Sequence, residues 1–176
     1  MAEMKIFGLV GWSGSGKTTL MRQLLPELTG RGYRVSTMKH THHNFDIDKP
    51  GKDSYMHREA GAHEVLITGS RRWAILHENR AAPEPDIGSL LDRLEDVDLV
   101  LIEGFKDHAH AKMEVHRPTV GKPLLAANDE SIVAVASDET LPRIDVTVID
   151  LDDVAGIADF IQEYCGLGRR ADSGAA

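Results

Sequence analysis

The chain has 176 residues, 41% of them apolar, and its 20 Lys plus Arg against 28 Asp plus Glu leave a net charge of −8. This balance argues against a general binder of nucleic acid or of anionic membranes, because affinity for phosphate backbones is built from Lys and Arg. A single cysteine, Cys165, excludes an intramolecular disulfide and favours a reducing compartment. No apolar run reaches the roughly 18–20 residues of a membrane helix. We therefore expect a cytoplasmic protein.

Short apolar runs alternate with helical patterns along the chain, which predicts an α/β fold around a mostly parallel sheet. The predicted strands cover 6–10, 33–38, 64–68, 73–76, 99–102, 113–116, 124–126, 132–136 and 146–149. The predicted helices cover 17–28, 53–60, 87–94 and 153–164. Asp86 is suited to cap the third helix. We expect a single domain over 1–168 and a frayed tail over 169–176.

The segment after the first predicted strand fits the phosphate-binding pattern G-x-x-x-x-G-K-[ST] without a mismatch. It consists of Gly11, Trp12, Ser13, Gly14, Ser15, Gly16, Lys17 and Thr18, and Thr19 follows it. Glycines let the backbone turn tightly around an anion, and the following helix adds its N-terminal dipole. Lys17 can reach phosphate oxygens, and Thr18 can ligate Mg²⁺. Because a strand precedes the motif and a helix follows it, we predict a nucleotide-binding domain, a P-loop NTPase-like three-layer sandwich, rather than a chance glycine-rich turn.

The most apolar predicted strand, 99–102, has an acidic residue at each end. Asp98 and Glu103 are separated by roughly 17 Å at a rise of about 3.3 Å per residue, so only one of them can reach a metal ion beside the phosphates. Ligands bind at the carboxyl ends of parallel strands, which favours Glu103. We predict that Glu103 acts on Mg²⁺ directly, through water, or on the attacking water. The alternative is a solvated carboxylate at a strand end.

A long polar loop follows the second predicted strand. Its histidines His40, His42 and His43 suggest a transition-metal site, although adjacent His42 and His43 cannot easily share one ion. The favoured interpretation is a loop that contacts the nucleotide or a partner, with Asp46 or Asp48 as outer ligands of Mg²⁺. A solvated turn is the alternative.

A second acidic residue, Asp138, follows the predicted strand over 132–136. A carboxylate can accept hydrogen bonds from the N1–H and N2–H₂ groups of guanine, and adenine offers no such pair of donors. The Asn-Lys-x-Asp motif of common GTPases is absent. Asp138 is therefore the candidate for guanine contact, with ordinary turn chemistry as the alternative.

Taken together, these motifs resemble one family, the molybdopterin-guanine dinucleotide biosynthesis adaptor protein B (MobB) family. The matching stretches lie at 12–19, 39–43, 46–55, 72–74, 101–106 and 134–138. The resemblance implies a homodimeric GTP-binding protein, with weak GTPase activity at most, that works beside the molybdenum cofactor guanylyltransferase and other molybdopterin-processing proteins. It also implies that residues 14–18 hold GTP and Mg²⁺, and that Asp46 and Glu103 complete the metal side.

Two other functions fit parts of the sequence. A P-loop small-molecule kinase would need arginines to clamp the transferred phosphoryl group, and Arg71 and Arg72 form the only compact candidate. A metal-insertion GTPase would use His40, His42 and His43 as ligands. Affinity for GTP against ATP distinguishes the adaptor from the kinase, and metal content after dialysis distinguishes it from the metal-insertion GTPase.

Overall fold

The computed structural model describes residues 4–41, 45–141 and 144–168. Its strands are β1 (Lys5–Val10), β2 (Val35–Lys39), β3 (Glu64–Thr68), β4 (Trp73–His77), β5 (Leu99–Glu103), β6 (Lys112–His116), β7 (Ile132–Ser137) and β8 (Thr147–Asp150). Its helices are α1 (Lys17–Gly30), α2 (Asp53–Glu59), α3 (Ile87–Leu91) and α4 (Val154–Tyr164), with a 3-10 turn at Pro118–Val120. Six strands form a parallel sheet in the order β2-β5-β1-β6-β7-β8. The predicted α/β fold with a mostly parallel sheet is confirmed.

The centre of this sheet is buried on both faces. Every residue of β5 is buried, and β1 lies between β5 and β6. Helices α1 and α4 contribute apolar side chains to the same core, among them Leu20, Leu24, Leu28, Ile157 and Ile161. Because β1 is central, the loop that follows it lies in the middle of the carboxyl edge of the sheet, which is where ligands bind in open parallel sheets.

The chain forms two compact units, one made of Met1–His40 and Glu95–Ala176 and the other of Thr41–Leu94. The first unit contains the six-stranded sheet with α1 and α4, and the second contains α2, α3 and a two-stranded sheet. The expectation of a single domain over 1–168 stays a prediction, and the predicted tail over 169–176 lies outside the described residues. None of the helices in the described ranges has the length and apolar character needed to cross a membrane.

The second unit contains a hairpin formed by two of the predicted strands. Strands β3 and β4 pair in antiparallel fashion, with Leu66 opposite Ile75 and Thr68 opposite Trp73. These pairs share one face of the hairpin because alternate residues of a strand point to the same side. The side chain of Asp86 accepts a hydrogen bond from the backbone N–H of Ser89, so its predicted role as N-cap of α3 is confirmed.

The predicted strand over 124–126 is wrong. This segment is a turn in which the backbone N–H groups of Leu125 and Ala126 donate to the carboxylate of Glu114 at 2.9–3.0 Å. Glu114 lies on β6 and is fully buried, and a buried carboxylate must be hydrogen-bonded to be tolerated. Pairing in a sheet would use these N–H groups, so the short apolar run folds around the carboxylate instead.

Candidate nucleotide site

The loop after β1 turns at three glycines with positive φ, namely Gly11 at 144°, Gly14 at 84° and Gly16 at 101°. A side chain at Gly11 would collide with the carbonyl oxygen of Val115, so this position requires glycine for space as well as for conformation. Gly16 caps the N-terminus of α1. The strand, the loop and the helix therefore have the arrangement that directs backbone N–H groups and a helix dipole at an anion.

The remaining residues of the predicted motif differ in exposure. Ser13, Thr18 and Thr19 are exposed, whereas Ser15 is buried inside the loop, where its backbone N–H donates to the carbonyl oxygen of Trp12. The indole N–H of Trp12 donates to the carbonyl oxygen of Pro123 at 2.8 Å. The first half of the loop is thus attached to the connection between β6 and β7.

Lys17 folds back over the loop that precedes it. Its ammonium donates to the carbonyl oxygens of Gly11 at 2.8 Å and of Trp12 at 2.9 Å. Burial lowers the pKa of Lys17 from its ordinary value, while nearby Glu103 raises it and nearby Lys39 lowers it further. The loop therefore holds a partly desolvated positive charge at its mouth, where phosphate oxygens can replace the carbonyl partners.

Glu103 ends the buried strand β5 and faces the start of α1. Its Oε1 accepts a hydrogen bond from the hydroxyl of Thr18 at 3.0 Å and lies 3.3 Å from the ammonium of Lys39. Its side chain is only 12% exposed, so the alternative of a solvated strand-end carboxylate is wrong. Asp98, at the other end of the strand, accepts from the backbone N–H of Arg34 at 2.7 Å.

The oxygen atoms of Thr18 and Glu103 suit a magnesium ion. Mg²⁺ prefers hard oxygen ligands and is commonly bound by one or two protein groups together with phosphate oxygens. A hydroxyl and a carboxylate 3.0 Å apart, beside the loop and Lys17, supply such groups. The residues of the first unit therefore fit the metal that the P-loop motif implies.

The third predicted metal ligand, Asp46, belongs to the second unit. There the guanidinium of Arg58 binds Asp46 and Asp48 at 2.8 Å and Glu78 at 2.7 Å. The hydrogen bond to Arg58 lowers the pKa of the Asp48 carboxyl, and the pKa of Arg58 is raised in turn. In this structure the two aspartates attach the polar loop to α2. Their role as ligands of Mg²⁺ stays a prediction.

Asp138 lies directly after β7, as predicted, and it pairs with an arginine that the sequence analysis missed. The guanidinium of Arg117 donates to Asp138 Oδ2. The other oxygen, Oδ1, is buried and accepts no hydrogen bond from any described residue, a condition that costs about 1–3 kcal/mol. A groove of about 360 Å³ adjoins this carboxylate. It is lined by Ser137, Asp138, Glu139, Thr140, Leu141, Val148, Ile149 and Asp150.

The predicted histidine cluster is only partly described. His40 follows β2, donates its backbone N–H to the carbonyl oxygen of Glu103 and packs its ring 4.5 Å from that of Phe105. His42 and His43 lie outside the described residues. Within residues 4–41, 45–141 and 144–168, no three His, Cys, Asp or Glu side chains are grouped so as to hold a metal ion.

A sequence model of one family, MobB, described as "Molybdopterin guanine dinucleotide synthesis protein B", matches residues 6–138. The chain belongs to this family. A relative from Escherichia coli K12 is 43% identical over 162 residues, covering 90% of this chain and 92% of the relative. A relative from Haemophilus influenzae is 43% identical over 165 residues, covering 92% and 90%. Both are named molybdopterin-guanine dinucleotide biosynthesis adapter protein.

Solved structures of MobB proteins share the fold. A crystal structure of molybdopterin-guanine biosynthesis protein B superposes with a TM-score of 0.72 at 31% identity, covering 90% of this chain and 99% of the other. Bacillus subtilis MobB gives a TM-score of 0.73 at 21% identity over 92% and 98% of the two chains, which supports the fold alone. The predicted P-loop NTPase-like fold and the predicted adapter role in molybdopterin-guanine dinucleotide biosynthesis are confirmed, in preference to the kinase and the metal-insertion GTPase.

Proposed function

We propose that this MobB-family adapter binds GTP with Mg²⁺ at the loop after β1 and assists the guanylyltransferase that attaches guanosine monophosphate to molybdopterin. The observation that carries the proposal is the convergence of Lys17, Thr18 and Glu103 on one end of the sheet, with hydrogen bonds of 2.8–3.0 Å. The sequence, the fold and the family point to the same site. The adapter acts in the cytoplasm under this proposal.

Each part of the loop has a separate task. The backbone from Gly14 to Thr19 surrounds the phosphates, and the ammonium of Lys17 moves its hydrogen bonds from the loop carbonyls to phosphate oxygens. The hydroxyl of Thr18 and the carboxylate of Glu103 would hold Mg²⁺. Bound Mg²⁺ supplies positive charge beside the β- and γ-phosphates. Asp138 accepts from guanine.

Hydrolysis of GTP is slow at most under this proposal. Fast hydrolysis needs a group that orients the attacking water and a cation for the charge that develops on the γ-phosphoryl group. Glu103 is the candidate to orient water, but its Oε1 is already shared by Thr18 and Lys39. The described glutamines, Gln23 and Gln162, lie in α1 and α4 and not beside the loop. The nucleotide therefore serves to set a conformation or to be presented to a partner.

The second unit supports a homodimer. Leu66 and Trp73 are each 61% exposed and Ile75 is 45% exposed on one face of the hairpin. A two-stranded hairpin alone has marginal stability in water, and a contiguous exposed apolar face is typical of a protein interface. We propose that a second copy of the chain covers this face.

The decisive experiment is calorimetric titration of GTP and of ATP, each with and without Mg²⁺. We expect tighter binding of GTP, strengthened by Mg²⁺, and a loss of at least about 100-fold in Lys17→Ala, because two or more charge-assisted hydrogen bonds disappear. Lys5→Ala, which removes the same charge from the opposite end of β1, is the matched control and keeps the wild-type affinity. Unchanged GTP affinity in Lys17→Ala with a normal thermal transition would refute the proposed site.

A further inference from the structure

Arg117 lies between the two ends of the candidate site. It follows β6, which lies between β1 and β7 in the sheet. Its Nε and one terminal nitrogen lie 3.4 and 3.8 Å from the position that a Cβ would take at Gly16, in the loop after β1. Its other terminal nitrogen donates to Asp138 Oδ2. One guanidinium therefore spans the distance from the first turn of α1 to the end of β7.

The ion pair fixes the orientation of the Asp138 carboxylate. A planar guanidinium donates in a fixed fork, so it constrains the plane of the carboxylate more strongly than an ammonium would. Oδ2 keeps a second lone pair after accepting from Arg117, and Oδ1 has no partner among the described residues. The carboxylate thus retains acceptor capacity, and Asp138 lines the groove next to β7 and β8.

A role in stability alone explains the pair poorly. The side chain of Arg117 is 33% exposed and that of Asp138 is 22% exposed, so solvent partly screens the ion pair and reduces its contribution to folding. A purely stabilising pair would also be expected to satisfy Oδ1, because a buried oxygen without a donor is unfavourable. The arrangement instead suits a carboxylate that completes its hydrogen bonds with a ligand.

We propose that Arg117 is a positioning residue for guanine selectivity. It holds the Asp138 carboxylate in the orientation that accepts from the N1–H and N2–H₂ donors of a guanine nucleotide in the groove, and its position beside Gly16 places this ion pair next to the phosphate loop. The proposal rests on the proposed GTP site and adds the residue that sets its base preference. Adenine lacks the donor pair and gains nothing from the orientation.

The test is calorimetric titration of the full chain with GTP, ATP and xanthosine triphosphate. The variants are Arg117→Met, Arg117→Lys and Asp138→Asn, and Arg22→Met, an exposed arginine of α1, is the matched control. We expect Arg117→Met to lower GTP affinity about 10-fold and leave ATP affinity unchanged, because an unoriented Asp138 loses about one charge-assisted hydrogen bond to guanine. Arg117→Lys restores part of the GTP preference. Asp138→Asn weakens GTP and favours xanthosine triphosphate, whose O2 accepts from the new amide.

The outcomes separate this inference from the function on which it rests. A GTP-to-ATP ratio unchanged by Arg117→Met but lowered by Asp138→Asn overturns the role of Arg117 and leaves guanine contact by Asp138 intact. Equal losses of GTP and ATP in Arg117→Met also overturn it, because they place the guanidinium on the phosphates. A GTP-to-ATP affinity ratio that is unchanged in both Arg117→Met and Asp138→Asn also overturns the assignment of Asp138 to guanine contact. A wild-type chain that binds neither nucleotide overturns the proposed function.

Discussion

The two units of this chain differ in how they hold their polar groups. The first unit buries Glu114 and Lys112 completely and satisfies them largely with backbone groups, for example the carbonyl oxygens of Lys106 and His108 at 2.6 Å from the Lys112 ammonium, which also pairs with Asp129 at 3.2 Å. Among the described residues of the second unit, Val65 is the only buried hydrophobic side chain, and charges pair with one another around Arg58. The first unit thus has a large buried core, whereas the second is held mainly by ion pairs and has the exposed hairpin face that we propose a second copy covers.

The largest expected effect is in the buried polar part of the first unit. Glu114→Ala removes the acceptor of three backbone hydrogen bonds and leaves the N–H groups of Leu125 and Ala126 without it. We expect a loss of about 3 kcal/mol in the free energy of unfolding, measured by urea denaturation. Glu130→Ala, a carboxylate outside the core, serves as the control. A loss below about 1 kcal/mol would mean that the turn reorganises easily and that the contrast between the units is overstated.

The second prediction concerns the exposed face of the hairpin. Trp73→Asp places a charge where a second copy is proposed to pack, and we expect the dimer dissociation constant to rise at least about 30-fold, because aromatic residues near the centre of an interface contribute about 2 kcal/mol or more. Sedimentation velocity over a range of concentrations measures it. Tyr164→Asp, at an exposed position of α4 in the first unit, leaves the dimer intact. A monomeric wild-type chain, or an unchanged dissociation constant, contradicts the assignment of this face.

The third prediction tests the ion cluster of the second unit. Arg58→Met leaves Asp46, Asp48 and Glu78 without their common partner, and the side chain of Asp48 is only 4% exposed. We expect faster hydrogen exchange over residues 45–59 and an unchanged exchange rate in β1 and β5, because the cluster belongs to the second unit alone. The difference from wild type should shrink at high salt. Arg71→Met, in the exposed turn of the hairpin, is the control. If hydrogen exchange in Arg58→Met were equally faster in β1 and β5, the assignment of the cluster's effect to the second unit alone would be contradicted.

The smallest expected effect is a pH dependence in the first unit. Burial, with a contribution from nearby Lys112, lowers the pKa of His110 to about 4. The folded chain keeps this imidazole neutral to about pH 4, whereas the unfolded chain takes up the proton near pH 6.5, so stability falls as the pH drops through that window. Allowing for solvent screening, we expect the wild type to lose on the order of 1 kcal/mol more than His110→Leu between pH 6.5 and 4. If the free energy of unfolding falls equally with pH in the wild type and in His110→Leu, the lowered pKa of His110 is contradicted.

Local patterns in the sequence predicted most of the fold and the loop that forms the phosphate half of the candidate site. Continuous apolar runs predicted the buried strands, and a gapless motif predicted the loop that contains Lys17. The choice of Glu103 over Asp98 relies only on the direction of a parallel strand, and in the structure Glu103 accepts from the hydroxyl of Thr18 at the start of α1. Each of these inferences uses only residues that are close in the sequence, or the general rule that ligands bind at the carboxyl ends of parallel strands.

The parts that sequence analysis missed depend on partners distant in the chain. The segment 124–126 has the composition of a strand, and only the buried carboxylate of Glu114 on β6 makes it a turn. Arg117 belongs to no motif, and its proposed role follows from its ion pair with Asp138, 21 residues away at the end of β7. Both results require the order of the strands and the depth of burial, which hydrophobic periodicity does not supply.

The hydrogen bonds of Lys17 to Gly11 and Trp12 have a consequence for discrimination among anions. The ammonium already has two good acceptors at 2.8 and 2.9 Å, so an incoming anion gains only the difference between its own oxygens and those carbonyls. A singly charged ion such as chloride or nitrate gains little by this exchange, whereas a polyphosphate brings several charged oxygens and a metal together. The carbonyl oxygens of Gly11 and Trp12 thus compete with any incoming anion for the Lys17 ammonium. We expect the loop to select ligands that engage many donors at once over small singly charged anions.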